Sequence, residues 1–331
     1  MLVQLSINEN PLGASRLAIE RVAGQMFGMN RYPFHNALEA ALSKHHDVPE
    51  ETIFIGTGSS EILKLLVLAA FYEQTSGNTV TGFPSYPSIP WDTERLNRQV
   101  KRVPLTADWR LDLPAMRDAI DSDTRLISIC NPNNPTGQML DPDELASFVR
   151  SVPEEVLVCV DGAYIHFSDS YTSAIPLTKE VSNLLISRTF SKAYGLGGVR
   201  VGYGIANPEL LDRMRRFGID MLNKNTLSIA AALGALEDQQ HVRRTVQMVN
   251  AGKDYLYKEL TAMGYEPIRT QTISVPVRVG DNVQTILQRL SERKVQVSPA
   301  FDMNGYLRIS VGLPRENEAF ISAFKSVQTT L

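Results

Sequence analysis

The sequence predicts an α/β protein: a mainly parallel seven-stranded sheet in a large domain, followed by a smaller α+β domain at the C-terminal end. Three features predict it. Seven short apolar runs in the first two thirds are rich in Val, Ile and Leu and alternate little, as strands covered on both faces do. Amphipathic stretches of helical period separate most of them, the rhythm of parallel strands joined by right-handed crossovers. In the last third that rhythm gives way to a long helical pattern and then to isolated strands and helices.

Taken in order, the strands are expected at residues 52–56, 78–82, 99–103, 125–130, 156–161, 183–188 and 200–206, with helices at 60–72, 86–96, 113–119 and 142–150. A single helical region runs from about 228 to 263. Strands near 273–279 and 306–311 and helices near 283–294 and 315–327 complete the chain. The boundary between the two parts is expected near 223–226. No repeat of fixed period and no low-complexity tract interrupts the pattern.

Composition narrows the function classes. The chain has 331 residues, 43% hydrophobic and 21% charged, with a formal charge of −3 and a pI near 6.0. Those proportions suit a folded chain of about two domains and exclude a disordered or disulfide-stapled one. Without a basic excess to neutralise a phosphate backbone, nucleic acid is not expected as a partner. No apolar run approaches the ~18 residues of a membrane span. The opening residues Met1-Leu2-Val3-Gln4-Leu5-Ser6 lack a basic segment followed by a long apolar one, so no signal peptide is expected and the location expected is the cytoplasm. Cys130 and Cys159 each lie in an apolar run and are expected as a buried, reduced pair.

In open α/β sheets, ligands bind beyond the carboxyl ends of the strands, and four polar clusters sit there. Gly56-Thr57-Gly58-Ser59-Ser60-Glu61 leads into an apolar helix. It reads either as a capped turn or as an anion cradle of free N–H groups and hydroxyls. Glu61 stands where a dinucleotide fingerprint needs Gly or Ala, and no acid follows about twenty residues on. Asn131-Pro132-Asn133-Asn134-Pro135-Thr136-Gly137 is a rigid turn that holds an amide towards the cleft. Asp161 ends a very apolar strand, where a carboxylate needs a partner such as a cationic ring nitrogen, and the Tyr164 hydroxyl can reach the same ligand. Lys192 follows another strand between hydroxyl residues and the run Gly195-Leu196-Gly197-Gly198. A desolvated lysine can lose its proton and attack a carbonyl. Arg200, eight residues on, suits a phosphate.

Together, Asn-Pro-x-Asn-Pro-Thr-Gly, Asp-x-Ala-Tyr, Ser/Thr-x-Ser-Lys and the following Arg resemble the pyridoxal-phosphate-dependent aminotransferases of fold type I, class I/II, and among them the histidinol-phosphate aminotransferase branch. Asn8-Glu9-Asn10-Pro11-Leu12-Gly13, Arg31-Tyr32-Pro33, Pro84-Ser85-Tyr86-Pro87 and Leu307-Arg308-Ile309-Ser310-Val311-Gly312 extend the resemblance over nearly the whole chain. It implies a fold-type I transferase with an N-terminal arm (1–25) against the small domain, a large cofactor domain (26–225) and a small domain (226–331). It also implies pyridoxal 5′-phosphate as cofactor and a homodimer. By residue, Lys192 would hold the cofactor covalently, Asp161 would pair with its ring nitrogen, and Asn134 and Tyr164 would bond its 3-oxygen. Tyr86 would stack on the ring, while Ser59, Ser60, Thr189, Ser191 and Arg200 would take the phosphate with Tyr32 of the neighbouring subunit. Arg308 would grip the substrate α-carboxylate, beside Asn134. Lys192, Asp161 and Tyr164 form the catalytic set.

The same resemblance exposes departures. The branch usually has Asp-Glu-Ala-Tyr where this chain has Gly162, and usually Gly-Ile-x-Val-Arg where it has Lys294-Val295-Gln296-Val297-Ser298. That arginine helps bind the phosphate of histidinol phosphate, and Ser298 supplies neither its charge nor its fork. An Asn-Phe pair common in the branch is missing around residues 272–275. The expected function is therefore transfer of an amino group between an amino acid or amine and a 2-oxo acid, with a donor other than histidinol phosphate. The alternative is decarboxylation, elimination or cyclisation at the α-carbon of an amino acid in specialised metabolism. His45 and His46 lack metal-ligand spacing, His166 reads as packing, and Lys224 reads as a solvated lysine or, as the rival, a specificity residue.

Overall fold

The structure is a computed structural model that describes residues 2–33, 36–74, 76–168, 174–218 and 224–328. The chain runs β1 (Val3–Leu5), α1 (Arg16–Gln25), α2 (Ala37–His46), β2 (Ile53–Gly56), α3 (Ser59–Phe71), β3 (Asn78–Phe83), α4 (Ser88–Arg95), β4 (Gln99–Pro104), α5 (Leu113–Asp118), β5 (Thr124–Cys130) and α6 (Pro142–Ser151). It continues through β6 (Leu157–Asp161), β7 (Leu184–Thr189), β8 (Gly202–Ala206), α7 (Pro208–Arg215), α8 (Thr226–Glu237) and α9 (Gln239–Ala262). The chain ends with β9 (Ser274–Arg278), α10 (Val283–Glu292), β10 (Val295–Pro299), β11 (Tyr306–Ser310) and α11 (Pro314–Gln328).

The larger sheet has seven strands in the order β2-β8-β7-β6-β5-β3-β4. Only β8 is antiparallel to its neighbours, so the sheet is mainly parallel as expected. Its apolar strands are buried on both faces, with side chains dividing at period two. Leu184 and Ile186 of β7 join one core and Leu185 the other. The strand order reverses between β3 and β5, and such a switch point opens a crevice at the carboxyl ends of the strands.

A second sheet, β1-β10-β11-β9, is smaller. Sequence reading missed two of its strands: β1 is three residues long, and β10 pairs parallel with it, Val3 opposite Val295. This pairing ties the N-terminal segment to the C-terminal sheet. The apolar core that includes Leu5, Val275 and Leu307 continues to Val158 and Ile186 under the large sheet.

Helix starts follow local chemistry. Asp141 accepts from the N–H groups of Asp143 and Glu144, with Pro142 at the first helical position. The single helix expected over 228–263 is a correction: α8 and α9 are separate, because Asp238 leaves helical geometry and its side chain caps α9 at His241. The helix expected from residue 86 begins at Ser88, which leaves Tyr86 free of it. The polar helical stretch expected around His45 and His46 is α2, while α1 and α7 were not expected, although Ser15 and Asn207 cap them and Pro208 opens α7. Residue 223, at the expected domain boundary, lies outside the described residues. Among the described residues, no helix is long and apolar enough to cross a membrane. Cys130 and Cys159 are both buried and free.

Candidate active site

A cavity of about 270 Å³ lies at the carboxyl ends of the parallel strands. Ser59 and Ser60 reach it from the start of α3, Tyr86 from the loop after β3, and Cys130 and Asn134 from the end of β5. Asp161, Ala163 and Tyr164 follow β6; Thr189, Ser191, Lys192 and Arg200 follow β7. Ten of the twelve site residues singled out in the sequence therefore meet on one cavity, and residues 7–9 cover it. Arg308 stands just behind, bonded to Asn134. Tyr32 does not line the cavity of its own chain and is 65% exposed.

One end is built for an anion. Gly58 precedes α3 at φ +76° and offers no side-chain cap, so the first N–H groups of the helix point out unclaimed. A Cβ at Gly58 would lie 2.4 Å from Arg200 Nη2, so the guanidinium rests where only glycine leaves room. Arg200 Nη1 donates to the Gly197 carbonyl at 2.9 Å. The Thr189 and Ser191 hydroxyls lie 2.9 Å apart, and the Ser191 N–H donates to Thr189 Oγ1. Helix dipole, guanidinium and hydroxyls all favour negative charge there.

The middle holds the titratable groups. Asp161 is buried at the end of β6 and accepts one hydrogen bond, from the Ala163 N–H at 3.2 Å. Burial pushes its carboxyl up to about 6, against the Ala163 N–H and the charges of Arg188 and Lys192. Burial also pushes the phenols of Tyr164 and Tyr86 up to about 12. Lys192 Nζ donates to the Asn8 carbonyl at 2.9 Å. Burial, with Arg308 and Arg200 adding to it, pulls that amine down to about 8, while Glu9 and Asp161 oppose. An amine in that range is partly neutral near neutral pH and can act as nucleophile or base.

The far end holds Arg308 on β11, 9% exposed rather than paired at the surface. Its Nη1 donates to Asn134 Oδ1 at 3.0 Å and its Nη2 to the Ser6 carbonyl at 2.9 Å, while the buried Nε has no partner. Ser298 of β10 faces it in register. Of the two consecutive asparagines only Asn134 faces the cavity. Asn133 is locked to Ser85, Thr136 and the Pro84 carbonyl.

Sequence reading noticed the segment at residues 8–13 as a resemblance but gave its residues no place in the site. Asn8 sits at φ +56°, bonds Ser310 through N–H and Oδ1, and donates to the Tyr164 hydroxyl at 3.0 Å. Asn10 Nδ2 donates to the carbonyls of Lys192 and Ala193 and so fixes the lysine's backbone. The signal available was a run of polar residues ahead of the first helix; the partners are far off in the chain. Lys224 is neither solvated nor free: it pairs with Glu39 of its own chain, both largely buried. His166 packs edge-on against Tyr194, as expected of a packing residue. Among the described residues no cluster of three His, Cys, Asp or Glu side chains could hold a metal. The donor set suits a phosphorylated aromatic ring with an aldehyde: an anion cradle, a buried carboxylate for a cationic ring nitrogen and a depressed amine between them.

Residues 1–324 match the family model for aminotransferase class I and II. The chain is 36% identical to histidinol-phosphate aminotransferase 2 of Pseudomonas fluorescens, over 98% of this chain and 89% of that protein. It is 35% identical to histidinol-phosphate aminotransferase of Bacillus subtilis, over 98% and 91%. Among solved structures it superposes on histidinol-phosphate aminotransferase of Sinorhizobium meliloti, in complex with pyridoxal-5′-phosphate, with a TM-score of 0.93 at 23% identity, covering 99% and 91% of the two chains. It also superposes on L-threonine-O-3-phosphate decarboxylase of Porphyromonas gingivalis, with a TM-score of 0.86 at 21% identity, covering 99% and 100%. At those identities the structural likeness establishes the fold.

Proposed function

The chain belongs to the class I and II aminotransferases, enzymes that work with pyridoxal 5′-phosphate, and from that premise we propose that it moves an amino group between an amino acid and a 2-oxo acid in the cavity under residues 7–9. The observation that carries this is the meeting of Lys192 and Asp161 in one cavity with the α3 N-terminus and Arg200. Ser59, Ser60, Thr189, Ser191 and Arg200 would hold the cofactor phosphate, Asn134 and Tyr164 its 3-oxygen, Tyr86 a ring face, Asp161 the ring nitrogen and Lys192 the aldehyde carbon. When bound, the cofactor supplies a sink for negative charge at the donor's α-carbon. Asp161, ionised, holds the proton on the ring nitrogen. Once the donor amine has taken its place at the aldehyde carbon, Lys192 Nζ would take the proton from the donor α-carbon as base and deliver it as acid to the carbon that bore the aldehyde. Arg308 exchanges its bonds to Asn134 and Ser6 for a two-point grip on the α-carboxylate, which fixes the α-carbon beside Lys192.

We infer a donor other than histidinol phosphate. Among the described residues lining the cavity the cations are Lys192 and Arg200, with Arg308 behind them. Both cavity cations serve the cofactor, and Ser298 brings no further charge to a donor phosphate. The second reading, histidinol phosphate itself, is favoured by the names of the relatives at 35–36% identity.

The dimer belongs to the same proposal. Phe27 (96% exposed), Ile19, Met29 and Tyr32 put apolar surface at the start of the chain, and exposed patches of this kind mark interfaces. A second copy seated there would bring Tyr32 to the neighbouring phosphate.

The test is a panel of donors offered to the holoenzyme, with loss of the cofactor's visible band and the products both recorded. We expect α-amino acids to bleach the band and yield 2-oxo acids, with histidinol phosphate at least roughly tenfold poorer in kcat/KM. Release of CO2 in place of a 2-oxo acid overturns transamination, and histidinol phosphate as the best donor overturns the substrate inference alone.

A further inference from the structure

Arg188 of β7 is 2% exposed, yet it forms no ion pair with any described residue. Its Nη1 reaches the Ser187 carbonyl at 3.4 Å, and its buried Nε has no partner. An arginine keeps its charge at any physiological pH, and a buried charge left unpaired is costly enough to need a reason.

Its placement supplies one. The side chain shares its face of β7 with Leu184 and Ile186, opposite the face of Thr189 that lines the cavity. There it fills the space of a side chain at position 162: a Cβ on Gly162 would lie 1.5 Å from Nη1 and 2.6 Å from Cζ. Gly162 directly follows Asp161, and Asp161 pairs in register with Ser187, the neighbour of Arg188. The glycine that departs from the Asp-Glu-Ala-Tyr pattern is what lets an uncompensated guanidinium pack against the backbone of the buried acid.

We propose that Arg188 is a positioning residue which, from the far face of the sheet, supplies the permanent counter-charge of Asp161. The proposal rests on the reading that Asp161 serves the cofactor ring.

The surrounding charges single out this pair. Around Arg188, His46 of α2 and His166 of the turn after β6 are both pushed down to about 3, mainly by burial, and so stay neutral; His45 lies beyond His46. Around Asp161 stand Tyr86, Tyr164, Cys130 and Cys159, all neutral near pH 7 because burial raises each of them. The two cations acting on Asp161 are Arg188 and Lys192. Lys192 loses its charge whenever its amine gives up a proton, which its depressed range allows near neutral pH; Arg188 does not.

The test is pyridoxal phosphate binding to the apoprotein between pH 5 and 9, read by absorbance and protein fluorescence. Affinity should fall on the acid side as Asp161 takes a proton, near pH 6, and Asp161→Asn should flatten that limb. A limb that survives in Asp161→Asn refutes the reading of Asp161 itself. With the limb identified, Arg188→Met should move it up by roughly one pH unit, a roughly tenfold loss of affinity on the acid side, whereas Arg188→Lys leaves it near its place. An unmoved limb in Arg188→Met, or an equal shift in Arg188→Lys, overturns the proposal. If Arg188→Met does not fold, Gly162→Glu pushes the guanidinium from its place and pairs with it, and should move the limb the same way; no shift there overturns the proposal equally.

Discussion

Replacing Asp161 by Asn should make the cofactor-free protein more stable at neutral pH. The carboxyl is buried at the end of β6, and burial lifts it from 3.8 to about 6 despite the Ala163 N–H and the charges of Arg188 and Lys192. The folded protein therefore holds this proton more tightly than the unfolded chain does. Below pH 3.8 the group is protonated in both states and costs nothing; stability falls as pH rises from 3.8 to about 6, where the unfolded chain is ionised and the folded protein still holds the proton, and it levels off above. At 1.36 kcal/mol per pH unit, the distance from 3.8 to about 6 amounts to about 3 kcal/mol, which is present in full above pH 6. Asparagine carries no such cost and keeps an oxygen for the Ala163 N–H. We expect apo Asp161→Asn to gain up to about 3 kcal/mol at pH 7.5, roughly 4 °C in melting temperature for a chain of this size, and to gain almost nothing at pH 4. Urea denaturation of both apoproteins at matched concentration, from pH 4 to 8, measures the difference. Added pyridoxal phosphate should reverse the order, since only the carboxylate pairs with its ring nitrogen. A variant no more stable than the parent at pH 7.5, or a gain that ignores pH, refutes the reasoning.

Three further outcomes follow from the same geometry. Arg308→Gln removes a charge-assisted pair worth roughly 2–3 kcal/mol and should raise KM for amino-acid donors roughly 30- to 100-fold, with a smaller change in kcat; steady-state kinetics decide. Ser298→Arg places a second guanidinium beside Arg308 and should raise kcat/KM for a phosphorylated amine relative to an unphosphorylated amino acid by roughly tenfold, measured with both donors in parallel. Phe27→Asp puts a charge on the most exposed apolar ring and should weaken self-association at least roughly tenfold in sedimentation experiments; an unchanged dimer would place the interface elsewhere.

What could be read from the sequence, and what could not, divides by the range of the interactions. Most strands of the large sheet were legible because two-sided burial makes them rich in apolar residues, whereas the edge strand β4, Gln-Val-Lys-Arg-Val-Pro, shows itself only by its two valines. The loops after them gave Ser59, Asn134, Asp161, Thr189, Lys192 and Arg200 because strand ends in such a sheet converge on one edge. β1 and β10 escaped because each is short, and β1 takes its pairing from β10, almost three hundred residues away. The same distance hid Asn8, whose place depends on Ser310 and Tyr164. The break between α8 and α9 was lost because both flanks carry good helix formers, and one capping side chain, Asp238, decides it. Lys224 looked like a solvated cation because nothing near it in the chain reveals Glu39 on α2. Arg188 was visible as a residue but not as a problem. That it has no ion-pair partner among the described residues emerges only when Gly162, just after the neighbouring strand, is seen to leave it the space.

The most direct test is to reduce the holoenzyme with borohydride, digest it and find the peptide that carries the mass of the reduced cofactor. The expected result is a single modified residue, Lys192, and a Lys192→Ala protein that takes no label and shows neither turnover nor the visible band. Label on any other lysine, or turnover retained in Lys192→Ala, would contradict the assignment on which the active site is built.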